Sequence, residues 1–340
     1  MMNIIRILIL LPQFVFIQGV GPHSLCKDSN LVSPSVEAGT SYDSLMPLPN
    51  FEMKIMSEND DSIVSNVNLK LTERSLANEN LPIWILTGVI DSNNLEDTYA
   101  SDIVRNDQVM KRLGKFSIYQ QSETSSAVVY FHERRQFDGM IGYDILIRGL
   151  PMAVINSGSK TNQRIGSHGI YRRPKYQGHS VVKSESSNNY AGVNYQHYKQ
   201  TYQGRLYDGY PEVLVVVSWD VAKHLTNFIY RKEELDKYTT IVSYVITLFN
   251  GVDMLYSKLE KTKIQINIAG IIIGTEEMSF EFLDECCHMG FNRLTPVKKM
   301  DASCANKKII NFLGARQNKI SLDSYDVVVF LTRYVVITFF

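Results

Sequence analysis

His132-Glu133-Arg134-Arg135-Gln136 is the stretch of this sequence nearest to a metal-activating motif. Activating a water on a divalent ion takes two imidazoles one helical turn apart, with a glutamate beside the first to handle the proton. Gln136 stands where the second imidazole is required. Among His23, His132, His168, His179, His197, His224 and His288, no two are four residues apart. The stretch lies beside an expected strand, and its residues read as surface polar groups.

Cys286-Cys287-His288 with Cys304 could be drawn as a thiolate site, but adjacent cysteines rarely bend both sulfurs onto one ion. In an oxidising compartment the expectation is a disulfide from Cys304 to Cys286 or to Cys287, with one cysteine paired elsewhere or free. Cys26 falls near the expected mature N-terminus. His224 sits off the stripe of Val221, Leu225 and Phe228 and reads as exposed. Gly270 and Gly274 make no cofactor loop, because Ile271, Ile272 and Ile273 between them belong to a strand. There is no G-x-S-x-G elbow and no phosphate loop.

The elements that would carry such residues are globular in composition: 340 residues, 44% hydrophobic and 21% charged. Lys plus Arg and Asp plus Glu each total 35, so the net charge is zero. That balance argues against bulk nucleic-acid binding and against a polybasic membrane protein. Residues 1–21 read as a signal peptide, with Arg6 as the positive start, an apolar run after it, and small residues Gly19 and Gly21 at its end. Pro12 and Gln13 interrupt the run, so a membrane span is not expected there. The apolar stretch 327–340 carries Arg333 and reads as a buried strand followed by more apolar chain. The expected localisation is secreted and extracellular.

Residues 22–50 read as an irregular segment. Across 51–155, short apolar alternations at 64–71, 83–89, 116–119, 127–131 and 145–147 predict a β-rich domain. Residues 156–208 are rich in Tyr, Ser and Gly, and their eight basic residues, Lys160 to Arg205, face only Glu185 and Asp208. Such a composition buries too little apolar surface to offset its ordering entropy, so the segment reads as a basic linker open to proteases. Cleavage is expected between Arg164 and Arg205.

From Tyr210 the pattern becomes strand–helix alternation. Residues 212–217 form a near-continuous Val/Leu run typical of a buried parallel strand. Asp220 is placed to cap a helix. Ile241, Val245, Leu248, Val252 and Leu255 mark one face of a longer helix. Residues 264–274 and 326–331 read as strands, and 305–313 as a helix stopped by Gly314. The fold class is α/β with a largely parallel sheet.

These residues resemble a family. The run Tyr210-Pro211 followed by EVLVVV is similar to the opening strand of reprolysin (adamalysin-like) zinc metalloproteinase domains. VSYVITLFNGVDML at 242–255 resembles their long helix with its N-x-V-D signature, here Asn250-Gly251-Val252-Asp253. IQINIAGIIIG at 264–274 and SYDVVVFLT at 324–332 are similar to their second and third strands. QFDGMIG at 136–142 and IRGLP at 147–151 resemble the end of the propeptide. The flavour is that of secreted arthropod, venom-type members.

The resemblance implies a partial metzincin-like catalytic domain over 209–340, preceded by a β-rich propeptide domain. It implies a secreted zymogen whose propeptide is removed at the linker, and a zinc endopeptidase acting on protein or peptide substrates. It also places Glu212 and Asp326 where some members bind a structural calcium. The sequence departs from the family at the decisive point, because it contains no H-E-x-x-H-x-x-G-x-x-H. Without those ligands the chain as written, which reads as truncated before the zinc motif, is expected to be inactive. The alternative is a non-catalytic secreted protein that binds or inhibits a partner. Oligomeric state is not legible.

Overall fold

A computed structural model describes residues 6–7, 49–56, 63–72, 75–87, 102–142, 145–149, 168–172, 209–227, 233–259, 263–292, 295–333 and 335–337. In chain order the strands and helices are β1 Arg6–Ile7, β2 Asn50–Met56, β3 Ile63–Leu71, β4 Ile83–Thr87, β5 Asp102–Arg105, α1 Gln108–Leu113, β6 Phe116–Gln121, β7 Ser126–Phe131, β8 Gln136–Ile141, β9 Ile145–Gly149 and β10 His168–Arg172. Then come β11 Glu212–Val217, α2 Trp219–Thr226, α3 Glu234–Tyr256, β12 Asn267–Gly274, a 3-10 segment Glu277–Cys286, β13 Cys287–Asn292, β14 Thr295–Asp301, α4 Ala302–Gly314, β15 Val327–Leu331 and β16 Val335–Ile337. The protein is mixed α/β.

The first sheet has the order β1-β15-β11-β12-β4-β5. All its neighbours are parallel except β4 and β5, which are antiparallel. Its Val/Ile runs are continuous because both faces are covered. Val213, Val215, Val217, Ile271 and Ile273 pack on the side of α2 and α3. Leu214, Val216, Ile272, Val328 and Phe330 pack on the side of the 3-10 segment and α4. The second sheet, β10-β9-β8-β7-β6-β3-β2, is an antiparallel meander with hairpins at 122–125 and 132–135. Ser125 and Arg135 take the left-handed conformation that closes these turns, at φ 57° and 51°. A small third sheet is β13-β14-β16.

Helix α3 lies between the two large sheets. Its Val242, Val245, Ile246 and Phe249 share one core with Val215 and Ile271 of the first sheet and with Ile118, Val129 and Phe131 of the second. A helix apolar on most of its circumference must be buried on most of it, and this one is.

Several expectations are corrected. Helix α2 starts after Ser218, whose hydroxyl bonds to Asp220, so Asp220 lies in the first turn and is not the cap. Phe228 lies outside the described residues. Gly314 is the last residue of α4, and Ala315 takes the cap position with an ordinary helical backbone. The upstream region holds helix α1, whose six residues are too short to show a 3.6-residue period. Within the expected linker, 168–172 form a strand antiparallel to β9, because sheet pairing can order a stretch whose own composition cannot. The rest of 156–208, residues 22–48, and the signal-like residues other than Arg6–Ile7 lie outside the described residues.

Candidate functional site

The N-x-V-D signature on α3 forms a polar clamp. Asn250 is fully buried. Gln120 Nε2 on β6 donates to Asn250 Oδ1 at 2.8 Å, to the Asn250 carbonyl at 3.3 Å and to Asp253 Oδ2 at 3.2 Å. Asn250 Nδ2 donates to the Tyr119 carbonyl at 3.5 Å. Asp253 Oδ1 accepts the Ile266 backbone N–H at 2.8 Å, just before β12. Two side chains one helical turn apart thus tie the helix to the upstream sheet and to the segment entering the downstream one. Lys258 adds a further hydrogen bond to Ser125 on the same side. Gln120 carries no signal in the sequence and falls just past the strand expected at 116–119.

A second charged group lies near the start of α3. Arg112 Nε meets Asp236 Oδ1 at 3.3 Å. Asp138 Oδ1 accepts the Gly149 N–H at 2.7 Å. Part of the Asp138 residue surface is open, but protein atoms enclose its carboxyl. Burial pushes that carboxyl above its ordinary value, against the opposing pull of Arg148, the Gly149 N–H and Arg134. Burial likewise draws the Arg134 guanidinium below its ordinary value, opposed by Asp138 and Asp236.

The raised Asp138 value fixes a sign. The folded state favours the protonated acid, so this contribution to stability is full below the ordinary carboxylate pKa and lost as pH rises through the folded one. Asp138→Asn keeps an oxygen for the Gly149 N–H and removes the buried charge. The variant is therefore expected to be more stable than the parent at pH 7.5, with the two converging below about pH 4. Urea denaturation at both pH values checks this, and a gain that grows on acidification would refute it.

His132 does not begin a zinc helix. It follows the end of β7, and the Arg135 N–H donates to its carbonyl at 3.2 Å, so His132 opens a tight turn and Gln136 begins the returning strand, opposite Phe131. Its Nε2 is 2.7 Å from Ser117 Oγ, and its ring meets Tyr130 edge-on at 4.9 Å. Burial lowers its pKa, favouring the neutral ring. His224 is half-buried on α2, not exposed as expected, and burial with Arg333 and Arg148 nearby lowers its pKa as well. Among the described residues, no group of three or more His, Cys, Asp or Glu is placed to hold a metal ion.

Glu212 and Asp326 do come together. They stand at the starts of β11 and β15, the Glu212 N–H donates to Asp326 Oδ2 at 2.9 Å, and the Asp326 N–H donates to the Glu212 carbonyl at 2.8 Å. Both residues are exposed. Two carboxylates, one already accepting a backbone hydrogen bond, fall short of the six to eight or so oxygens that calcium takes.

The disulfide joins Cys286 to Cys304, with Cα atoms 5.5 Å apart. It pins the 3-10 segment to α4, beside the stacked Phe282 and Phe312 rings at 4.8 Å. Cys287 is outside that bond, and its Sγ donates to the Leu283 carbonyl at 3.4 Å.

Gly270 and Gly274 serve packing. A Cβ on Gly270 would lie 2.3 Å from Cζ3 of Trp84, and one on Gly274 2.5 Å from Cε2 of Phe280. Each glycine makes room for an aromatic ring.

A scan against protein-family models and a search of curated proteins both find no match to the chain. Among the described residues no helix is long and apolar enough to cross a membrane.

Proposed function

We propose that the chain is related to secreted, reprolysin-like metalloproteinase precursors: an upstream propeptide-like segment followed by strands and a long helix like those of the catalytic domain. On this reading the polypeptide has no zinc-peptidase activity of its own. The observation that supports the reading is the arrangement of the three family-like strands. β12, β11 and β15 lie side by side and parallel, in that order, and α3 with its Asn250 and Asp253 packs across them. A mostly parallel sheet crossed by one long helix is what the resemblance implies.

The described residues do not fit zinc. His132 sits on a hairpin, bonded to Ser117, and the family's zinc motif is missing from the sequence. A divalent ion lowers the pKa of water only when ligands hold it in place, and these side chains provide no such grip.

The test is metal content and proteolysis on the purified 340-residue chain. The expected result is no stoichiometric zinc and no chelator-sensitive hydrolysis of casein or gelatin. Bound zinc near one per chain, together with hydrolysis that a chelator abolishes, would overturn the proposal. Soluble protein that captures a full-length metalloproteinase would favour the binding-protein reading instead.

A further inference from the structure

We infer that the outer edge of β12 is a built acceptor for the upstream strand β4, so that the upstream segment stays bound as a separate, noncovalent subunit once the chain is cut between β10 and β11.

The strand β4 comes from far upstream, yet both its faces are covered. Ile83 and Ile85 enter the core shared with α3, while Trp84 and Leu86 enter the core shared with the 3-10 segment and α4. Its parallel register runs from Ile83 opposite Ile271 to Leu86 opposite Gly274. The backbone is satisfied along the join. The Ile268 N–H donates to the Leu76 carbonyl at 2.8 Å, Ile271 to Pro82 at 3.0 Å, and Thr275 to Leu86 at 3.1 Å. The buried hydroxyl of Ser279 also donates to the Leu86 carbonyl, at 2.8 Å.

Shape distinguishes this edge from an ordinary open one. Gly270 leaves a gap on β12 that the Trp84 ring fills, and no larger residue at that position would leave it free. A main-chain edge accepts any extended segment, whereas a slot sized for an indole selects one. Further contacts tie the same two segments together: Gln120 to Asn250 and Asp253, Arg112 to Asp236, and Lys319 Nζ to the Ile103 carbonyl at 3.1 Å. Removing the upstream segment would uncover Ile271, Ile272 and Ile273, all fully buried. A cut in the connecting chain removes none of these contacts.

The experiment places a site-specific protease sequence within 173–208 of the full chain. The folded protein is cut, then passed over a sizing column at decreasing concentration. Both fragments are expected to elute together at the volume of the uncut chain and to separate only in denaturant. An upstream fragment that elutes alone in native buffer would overturn the inference. Gly270→Ala, which pushes a methyl into the indole, is expected to weaken fragment association by tenfold or more. Trp84→Ala empties the slot without a clash and should weaken it too, which keeps the slot testable if Gly270→Ala does not fold. Association unchanged in the folded variants would refute the slot. The readout is co-elution, so it stands or falls apart from the zinc and peptidase assays.

Discussion

Phe249→Ala is expected to destabilise the whole protein by about 3–5 kcal/mol, the range for removing a large aromatic from a packed core. Phe249 is 1% exposed and lies in the core cluster that draws on both large sheets. Truncating it leaves a cavity that neither sheet can close without moving α3, which also holds the clamp to Gln120 and Ile266. The loss should therefore be felt on both sides of the helix. Trp219 of α2 reports on the first sheet, and a tryptophan put in place of Tyr130 in β7 reports on the second. In urea, single-tryptophan variants carrying Phe249→Ala should unfold in one transition at one lowered midpoint, whichever tryptophan is read. Separate midpoints for the two probes would show that α3 does not join the sheets energetically.

The downstream half was the more legible part of the sequence. Continuous Val/Leu and Ile runs fix buried parallel strands locally, and the apolar face of α3 repeats at helical spacing, so those elements follow from short windows of residues. What the windows could not show is which strands become neighbours. The residues at 83–89 read as a strand, but nothing near them states that Trp84 will lie on Gly270, because the complementarity is split across the chain. The same holds for the candidate site. Asn250 and Asp253 stood out as a signature, yet their partners are a glutamine in a distant strand and a backbone N–H. Cys304 could have paired with either of two adjacent cysteines; the structure chooses Cys286, which is 3% exposed and packs in the core that holds α4, while Cys287 opens β13. The strand at 168–172 was not legible because its order comes from β9, not from its own composition.

The clamp gives the other large effect. Asn250→Leu keeps the volume close to that of the amide but removes the 2.8 Å acceptor of Gln120 Nε2, which keeps Asp253 Oδ2 and the main-chain carbonyl of residue 250, and removes the amide donor to the Tyr119 carbonyl. Each hydrogen bond lost contributes about 0.5–1.5 kcal/mol, so a loss of about 1–3 kcal/mol is expected. Asp253→Ala should cost a similar amount, about 1–3 kcal/mol, because it withdraws the acceptor of the partly buried Ile266 N–H and one acceptor of Gln120 Nε2. The pairing can be isolated with a double-mutant cycle between Gln120→Ala and Asn250→Ala, read by urea denaturation. A coupling energy of about 0.5–3 kcal/mol is expected for groups in one hydrogen-bonded network. Additive losses would mean that Gln120 and Asn250 act independently, and that apolar packing on α3, not the N-x-V-D signature, holds the upstream sheet in place.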